Sequence, residues 1–206
     1  MFVGEMGENL DEEMDQDPLL EFERWFEKAR ASGEALPEAM ALATASPAGV
    51  PSVRMVLFKG INKGGFEFFT NFNSRKGREL EANPFASIVF WWERLRRQVR
   101  VEGRVQKVEE EQADQYFRTR PRGSQLGAWA SRQSQVIPNR ADLENRAQAL
   151  EVKYRGREVP RPPFWGGFRL IPDSMEFWLG RADRLHDRLL YRRSKDDRWI
   201  LERLDP

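Results

Sequence analysis

The chain's only histidine lies between two arginines in the stretch "RLHDR", residues 184–188. On an extended strand, alternate side chains point to the same face, so Arg184, His186 and Arg188 would share one face. Two guanidinium groups and an imidazole on one surface are suited to binding an anion. An ordinary solvated strand face would carry the same residues, and spacing alone does not separate the two interpretations.

Two basic pairs elsewhere could also bind a phosphate. Arg54 and Lys59 bracket "RMVLFK", but their odd separation puts them on opposite faces of a regular strand, which favours a strand with charged ends. Arg75 and Lys76 fall in the first turn of a predicted helix after Ser74, where positive charge opposes the helix dipole. An anion bound to the free N–H groups of that turn would explain them, and two solvated basic residues are the alternative.

A third stretch, "YFRTRPRGSQ", places a phenol, a guanidinium and a hydroxyl near the start of a helix. Tyr116 and Arg120 are four residues apart and share one helical face. Pro121 then begins a new element, with Ser124 in its first turn. These groups could hold a phosphate, whereas stacking of Tyr116 on Arg120 at a surface helix would need no ligand.

Several common catalytic groups are missing from the sequence. It contains no cysteine, which excludes disulfides, thiolate nucleophiles and zinc–cysteine sites. With one histidine and no spaced carboxylate cluster, no metal site is predicted, and neither usual nucleotide-binding glycine motif is present. A chain that is poor in nucleophiles and rich in anion-binding residues suits a protein whose cofactor carries the chemistry. Tryptophans near the strands suggest a flat, phosphate-bearing cofactor.

Composition favours one globular domain. The 206 residues are 40% hydrophobic, carry a net charge of +1 and contain no apolar run of membrane-spanning length. Residues 1–16 are acidic and are predicted to be a disordered arm that precedes a single domain, residues 17–206. The arm lacks the features of a secretory signal, so we expect a cytoplasmic location. Acidic and basic residues are interspersed elsewhere, which makes nucleic-acid binding an unfavoured alternative.

The predicted elements are mainly strands with some helices, an α+β pattern. A helix begins at Asp17, the predicted N-cap, and stops at Gly33. Residues 38–108 hold about five strands and one short helix, which is typical of a small barrel. Three helices follow in residues 109–156, and three strands are predicted in residues 168–204.

Seven stretches resemble one family in their order and spacing. They are "SVRMVLFKG", "FEFFTNFNSRKGREL", "NPFASIVFWWE", "RQVRVEG", "YFRTRPRGSQLGAWASRQS", "PFWGGFRL" and "EFWLGRADRLHDRLLYRR". From about Asp17 to the C-terminal "ERLDP", the chain is similar to pyridoxine (pyridoxamine) 5'-phosphate oxidases. The resemblance implies an FMN-binding split β-barrel, homodimeric, with sites at the subunit interface. It implies oxidation of pyridoxine or pyridoxamine 5'-phosphate to pyridoxal 5'-phosphate, with hydride passing to FMN and O2 reduced to H2O2.

The same resemblance assigns roles to individual residues. The substrate phosphate would be held by Lys59, Tyr116, Arg120 and Ser124. The catalytic residues facing the pyridine ring would be Arg184 and His186. FMN would be bound by Arg54, Met55, Val56, Leu57, Phe69, Thr70, Arg75, Lys76, Gln98, Gln133, Ser134, Trp178 and Arg188. Four of these are expected from the partner subunit, namely Gln133, Ser134, Trp178 and Arg188.

The sequence departs from the family pattern at its N-terminus, and two other functions are compatible with the resemblance. Family members often carry a basic, tyrosine-bearing segment that folds over the substrate, but residues 1–16 contain no Arg, Lys or Tyr. The chain could instead be another split-barrel flavin reductase or oxidoreductase, or a non-enzymatic carrier of pyridoxal phosphate. The four substrate-phosphate residues favour the oxidase, because a generic reductase has no use for them.

Overall fold

The computed structural model describes residue 10 and residues 14–206. Over these residues the α-helices are α1 (Pro18–Ala31), α2 (Arg75–Ala82), α3 (Glu110–Thr119), α4 (Arg122–Ala130) and α5 (Arg140–Lys153). The strands are β1 (Ala39–Ala45), β2 (Pro51–Leu57), β3 (Ile61–Asn62), β4 (Gly65–Asn71), β5 (Phe85–Trp92), β6 (Arg97–Lys107), β7 (Trp165–Leu179), β8 (Asp187–Arg193) and β9 (Trp199–Arg203). Within this part of the chain no helix is both long and apolar enough to span a membrane.

The strands form one antiparallel sheet with the order β2-β1-β5-β6-β7-β4-β3, and β8 and β9 continue from β7. Strand β7 is 15 residues long. Residues 165–170 of β7 pair with β4, whereas residues 174–179 pair with β8. One long strand therefore connects the barrel to the C-terminal hairpin.

The sheet curls so that the end of β2 meets β4. The N–H of Lys59 donates to the carbonyl of Glu67 (2.8 Å), and the N–H of Glu67 donates to the carbonyl of Gly60 (3.0 Å). The core enclosed by this curl is rich in aromatic rings. Phe22 of α1 and Phe66 of β4 are fully buried and pack edge to face with centroids 4.7 Å apart.

The prediction of a mainly β protein with helices (α+β) is confirmed. Residues 38–108 contain the five predicted strands and the short helix, together with the two-residue strand β3. Asp17 caps α1, because its side chain accepts a hydrogen bond from the N–H of Leu19 (2.9 Å). Helix α4 begins directly after Pro121, close to the predicted start.

Most of the predicted acidic arm, residues 1–16, lies outside the described residues. Leu10 is described and is buried in the core. Met14 packs against the same core, and the carbonyl of Asp15 accepts a hydrogen bond from the hydroxyl of Tyr191 (2.5 Å). At these positions the segment is packed against the barrel, which differs from the predicted disorder.

Helix α2 lies unusually close to the chain that precedes it. A Cβ on Gly77 would lie 2.1 Å from the carbonyl oxygen of Phe72, a contact with backbone that cannot swing aside. The hydroxyl of Ser74 accepts a hydrogen bond from the N–H of Gly77 (3.2 Å) and caps the helix. Glycine at this position therefore lets the first turn of α2, with Arg75 and Lys76, approach the end of β4.

Replacing Gly77 with alanine should lower the free energy of unfolding by roughly 1–3 kcal/mol, because the added methyl group overpacks the contact with Phe72. Gly123→Ala is the matched control, since a Cβ on Gly123 meets no atom within 4 Å. Urea unfolding of the two variants measures the difference. Equal stability of both would contradict the close-approach explanation.

Candidate active site

A cavity of about 740 Å³ lies between the barrel and the helices α3 and α4. Its walls come from β2, β4, the start of α2, and the two helices. The predicted ligand-binding residues that line it are Met55, Val56, Leu57, Lys59, Phe69, Thr70, Lys76, Tyr116, Arg120, Ser124 and Gln133. The structure therefore brings together all four predicted substrate-phosphate residues and part of the predicted cofactor set.

Lys59 lines the cavity because it lies beyond the end of β2. The strand ends at Leu57, and Gly60 has a φ of 125°. Strand alternation therefore does not govern the direction of Lys59, and the interpretation of "RMVLFK" as one regular strand with charged ends is wrong at this residue. The Nζ of Lys59 lies 5.9 Å from the ring centroid of Tyr116.

No carboxylate is present among the described residues that line the cavity, so its positive charge is not balanced there. Lys76 is only 8% exposed, and its Nζ lies 3.3 Å from the Oγ1 of Thr70. Burial, reinforced by the charge of Arg54, lowers the pKa of Lys76. The Nη1 of Arg120 is buried without a hydrogen-bond partner in the described part of the chain, and burial lowers the pKa of this guanidinium. Bound anions would satisfy these cations.

Three aromatic rings stack along one wall of the cavity. The ring centroid of Phe69 lies 4.1 Å from that of Tyr116 and 5.6 Å from that of Trp165. The guanidinium of Arg120 lies over the face of Trp165, 4.5 Å from its centroid, in a cation–π contact. Flat apolar surfaces beside cations suit a ligand that combines an aromatic ring with a phosphate.

Glu79 of α2 holds two predicted cofactor residues, Arg54 and Arg75, beside the cavity rather than in its lining. Its Oε2 accepts from Nη2 of Arg54 (3.2 Å), and its Oε1 accepts from Nε of Arg75 (2.8 Å). The hydroxyls of Thr44 and Ser52 also donate to Oε2, at 2.5 and 2.6 Å. Burial alone would raise the pKa of Glu79, but these hydrogen bonds outweigh it and lower the pKa to about 2. The i,i+4 spacing of Arg75 and Glu79 was the sequence signal for this contact.

Gln133 and Ser134 lie beside residues of their own chain. The hydroxyl of Thr70 donates to Oε1 of Gln133 (3.2 Å), and the N–H of Arg75 donates to the hydroxyl of Ser134 (3.1 Å). These contacts correct the expectation that a partner subunit would supply the two residues. The segment after α4 folds back onto the start of α2 within one chain.

The remaining predicted residues form a second group that does not line the cavity. Gln98, Trp178 and Arg188 lie opposite one another on β6, β7 and β8. The ring centroid of Trp178 is 4.6 Å from that of His186, and Nε of Arg188 donates to Oε1 of the buried Glu176 (2.8 Å). One chain therefore presents the predicted ligand residues at two separate places.

The strand predicted over "RLHDR" begins only at Asp187. Asp183 and Arg184 have positive φ values of 55° and 62°, within the turn that precedes β8. The prediction that Arg184, His186 and Arg188 share a strand face is therefore wrong, because a strand requires negative φ. Left-handed backbone at non-glycine residues is uncommon and is concentrated at functional sites.

His186 has one ring nitrogen fixed by the backbone. Its Nδ1 accepts a hydrogen bond from the N–H of Arg181 (3.1 Å). A neutral imidazole held in this way carries its proton on Nε2. The ring can therefore donate a hydrogen bond from Nε2, while Nδ1 is already occupied.

Sequence reasoning missed several residues that line the cavity. They are Asn71, Thr119, Pro121, Gly127, Ala128, Ser131 and Trp165. A signal was present for three of them, since Gly127, Ala128 and Ser131 follow Ser124 at intervals of three, four and seven residues. That spacing marks one helical face, and its small residues leave room for a ligand.

The curled antiparallel sheet with a basic cavity beside it defines a split β-barrel protein. Residues 26–154 match the family model described as pyridoxamine 5'-phosphate oxidase. Residues 165–206 match the model described as the pyridoxine 5'-phosphate oxidase C-terminal dimerisation region. The chain belongs to the pyridoxamine 5'-phosphate oxidase family.

Individual relatives agree with this assignment. Proteins named pyridoxine/pyridoxamine 5'-phosphate oxidase from Trichormus variabilis and Rubrobacter xylanophilus are 54% and 56% identical, covering 94% and 93% of this chain and 91% and 88% of theirs. The structure of PhzG from Burkholderia lata, in complex with tetrahydrophenazine-1-carboxylic acid, is similar with a TM-score of 0.92 at 34% identity, over 98% of both chains. An FMN-binding protein related to pyridoxamine 5'-phosphate oxidase, from Nostoc punctiforme, shares the fold with a TM-score of 0.73 at 18% identity, over 94% of this chain and all of that one.

Glu79→Gln should destabilise the protein at neutral pH and much less in acid. The pKa of Glu79 is lowered from 4.5 to about 2, so its carboxylate contributes stability above pH 4.5 and loses that contribution as the pH falls through about 2. Urea unfolding of the variant and the wild type over this range measures the difference in free energy. The exposed Glu81→Gln on the same helix is the control, and a difference that stays constant down to pH 2 would contradict the assignment.

Proposed function

We propose that the chain is an FMN-dependent oxidase of pyridoxine 5'-phosphate and pyridoxamine 5'-phosphate. The observation that carries the proposal is the cavity with buried cations, stacked aromatic rings and no lining carboxylate. Pyridoxine 5'-phosphate and O2 would give pyridoxal 5'-phosphate and H2O2. The amine substrate would also consume water and release ammonia. Membership of the family, with relatives that carry this name, supports the same reaction.

The start of α2 fits the phosphate of FMN. Lys76 is buried there without a carboxylate in the cavity lining, and Glu79 holds Arg54 and Arg75 nearby. FMN, when bound, accepts a hydride from the substrate and is reoxidised by O2. The residues of this chain that would contact it are Arg54, Met55, Val56, Leu57, Phe69, Thr70, Arg75, Lys76, Gln133 and Ser134.

The other end of the cavity fits the phosphate of the substrate. Lys59, Tyr116, Arg120 and Ser124 come from three segments, and all four line the cavity. The unpartnered Nη1 of Arg120 would gain a phosphate oxygen as its acceptor. Charge-assisted hydrogen bonds of this kind contribute about 1.5–3 kcal/mol each, so they orient the substrate before its ring reacts.

A second copy of the chain would supply the group on β6–β8. Residues 165–206 match a dimerisation region, and the edge strand β2 exposes Val53 and Met55 by 69% and 64%. Gln98, Trp178 and Arg188 would then contact FMN across the interface, while Arg184 and His186 face the pyridine ring. In this arrangement Arg184 covers the ring, and His186 donates from Nε2. A homodimer in the cytoplasm is the expected form.

An anaerobic absorbance spectrum tests the cofactor and the substrate together. The purified protein should show a flavin band that bleaches when pyridoxine 5'-phosphate is added, and admitting air should restore it with formation of pyridoxal 5'-phosphate. A flavin band that does not bleach would favour the reductase alternative. Bound pyridoxal 5'-phosphate without flavin absorbance would favour the carrier.

Two arginine variants separate substrate from cofactor binding. Arg184→Ala should retain FMN but lower kcat by on the order of 10²-fold, because the charge facing the reacting ring is lost. Arg184→Asn, which tolerates the left-handed backbone, controls for strain. Arg188→Ala should weaken FMN binding about tenfold, while Glu176 keeps a second partner in Arg100.

Turnover assays and fluorescence titration of released FMN give these numbers. Unchanged kcat in both variants of Arg184 would exclude the proposed role in covering the ring. Full retention of FMN by Arg188→Ala would show that this residue does not bind the cofactor.

A further inference from the structure

A cluster of four polar side chains, two of them buried, lies behind the cavity and contributes no atom to its lining. Arg169 of β7 is 1% exposed and donates to Oε1 of Glu67 from Nε (2.9 Å) and Nη2 (2.7 Å). The same Nη2 donates to Oε2 of Glu109 (3.0 Å) and Oε1 of Gln112 (3.1 Å). The Nε2 of Gln112 donates to Oε2 of Glu67 (2.6 Å), so both oxygens of that carboxylate are used. We call Glu67, Glu109, Gln112 and Arg169 the Arg169 cluster.

The cluster fixes helix α3 to the sheet. Glu109 immediately precedes α3 and makes no side-chain capping hydrogen bond, and Gln112 lies in the first turn. One turn after Gln112 comes Tyr116, and Arg120 follows the end of the helix. Two residues of the proposed phosphate site are therefore carried by an element whose start is tied to β4 and β7 through Arg169.

The cluster also fixes the opposite side of the same site. The backbone of Glu67 exchanges hydrogen bonds with Lys59 (2.8 Å) and Gly60 (3.0 Å). Glu67 thus orders the segment that carries Lys59 through its main chain and contacts Arg169 through its side chain. One residue connects the two walls between which a phosphate would lie.

Stability alone is a poor explanation for burying this ion pair. Removing two charges from water is costly, and apolar replacements of buried pairs are often as stable. What such a cluster provides is a defined geometry, because the planar guanidinium fork serves three acceptors at fixed angles. A lysine at this position could not reproduce those directions.

We propose that Glu67, Gln112 and Arg169 are positioning residues that set the spacing between Lys59 on one wall and Tyr116 and Arg120 on the other. This spacing would determine the affinity of the site for the phosphate group of its substrate. The inference rests on the proposed function, because it takes the ligand of that site to be a phosphate ester.

Gln112→Met tests the inference with little disturbance of the core. The substitution conserves volume and removes both hydrogen bonds of Gln112, while the two hydrogen bonds from Arg169 to Oε1 of Glu67 stay intact. Glu111→Met, at an exposed neighbouring position of the same helix, is the matched control. Both variants are studied as holoenzymes loaded with FMN, and thermal melting verifies that they fold.

Gln112→Met should raise KM for pyridoxine 5'-phosphate about tenfold, the loss expected when charge-assisted contacts are misplaced. Its kcat and its retention of FMN should stay within about twofold of the control. Calorimetric titration adds a readout that does not depend on turnover. The Kd of pyridoxal 5'-phosphate should rise about tenfold, whereas the Kd of unphosphorylated pyridoxal should not change. Glu109→Gln removes a charged acceptor at the exposed end of the Arg169 cluster. It should also raise KM and the Kd of pyridoxal 5'-phosphate, but by less than Gln112→Met.

Unchanged KM and Kd in a folded Gln112→Met would overturn the inference. Equal rises in Kd for the phosphorylated and unphosphorylated compounds would overturn it as well, because they would indicate general loosening. A wild type that binds pyridoxal 5'-phosphate but oxidises no B6 phosphate would instead contradict the proposed function, and the two titrations would still decide the positioning role.

Discussion

The structure depends on positive charge that is buried in one cavity and not neutralised there. Removing a cation from water costs free energy. In the described part of the chain this cost falls on Lys76, which is buried, and on Nη1 of Arg120, which has no hydrogen-bond partner. A phosphorylated ligand would convert this cost into binding free energy. The stacked rings beside the cations provide the apolar surface that a flat ligand requires.

The carboxylates that pair with nearby arginines lie outside the cavity lining. Glu79 holds Arg54 and Arg75 in place, and Glu67 pairs with Arg169 outside the cavity lining. This separation leaves the cavity attractive to anions while the surrounding protein remains close to neutral. An acid placed in the lining would neutralise the same cations and compete with the ligand.

Sequence reasoning succeeded where the determinants are local and failed where they are not. The N-terminal turn of α2 with Arg75 and Lys76 follows from Ser74 as N-cap, and the structure confirms that helix start. The predicted strand through Arg184 failed because two successive residues adopt left-handed backbone, which side-chain alternation cannot reveal.

Local sequence patterns also could not predict which buried side chains would pair with each other. Arg169 and Glu67 are 102 positions apart, and neither lies in a motif that signals an ion pair. Lys59 reached the cavity only because β2 ends two residues before it. Such features depend on where the sheet closes, whereas the overall α+β class follows from the periodicity of each segment.

The long strand β7 has a consequence for biosynthesis. Both β4 and β6 pair with it, although they are completed by residues 71 and 107 while β7 begins only at residue 165. During translation these two strands present open edges, and open edges invite association with other chains. The final fifth of the chain therefore protects the rest from aggregation. A chain that ends before residue 165 would leave one edge of β4 and one edge of β6 unpaired.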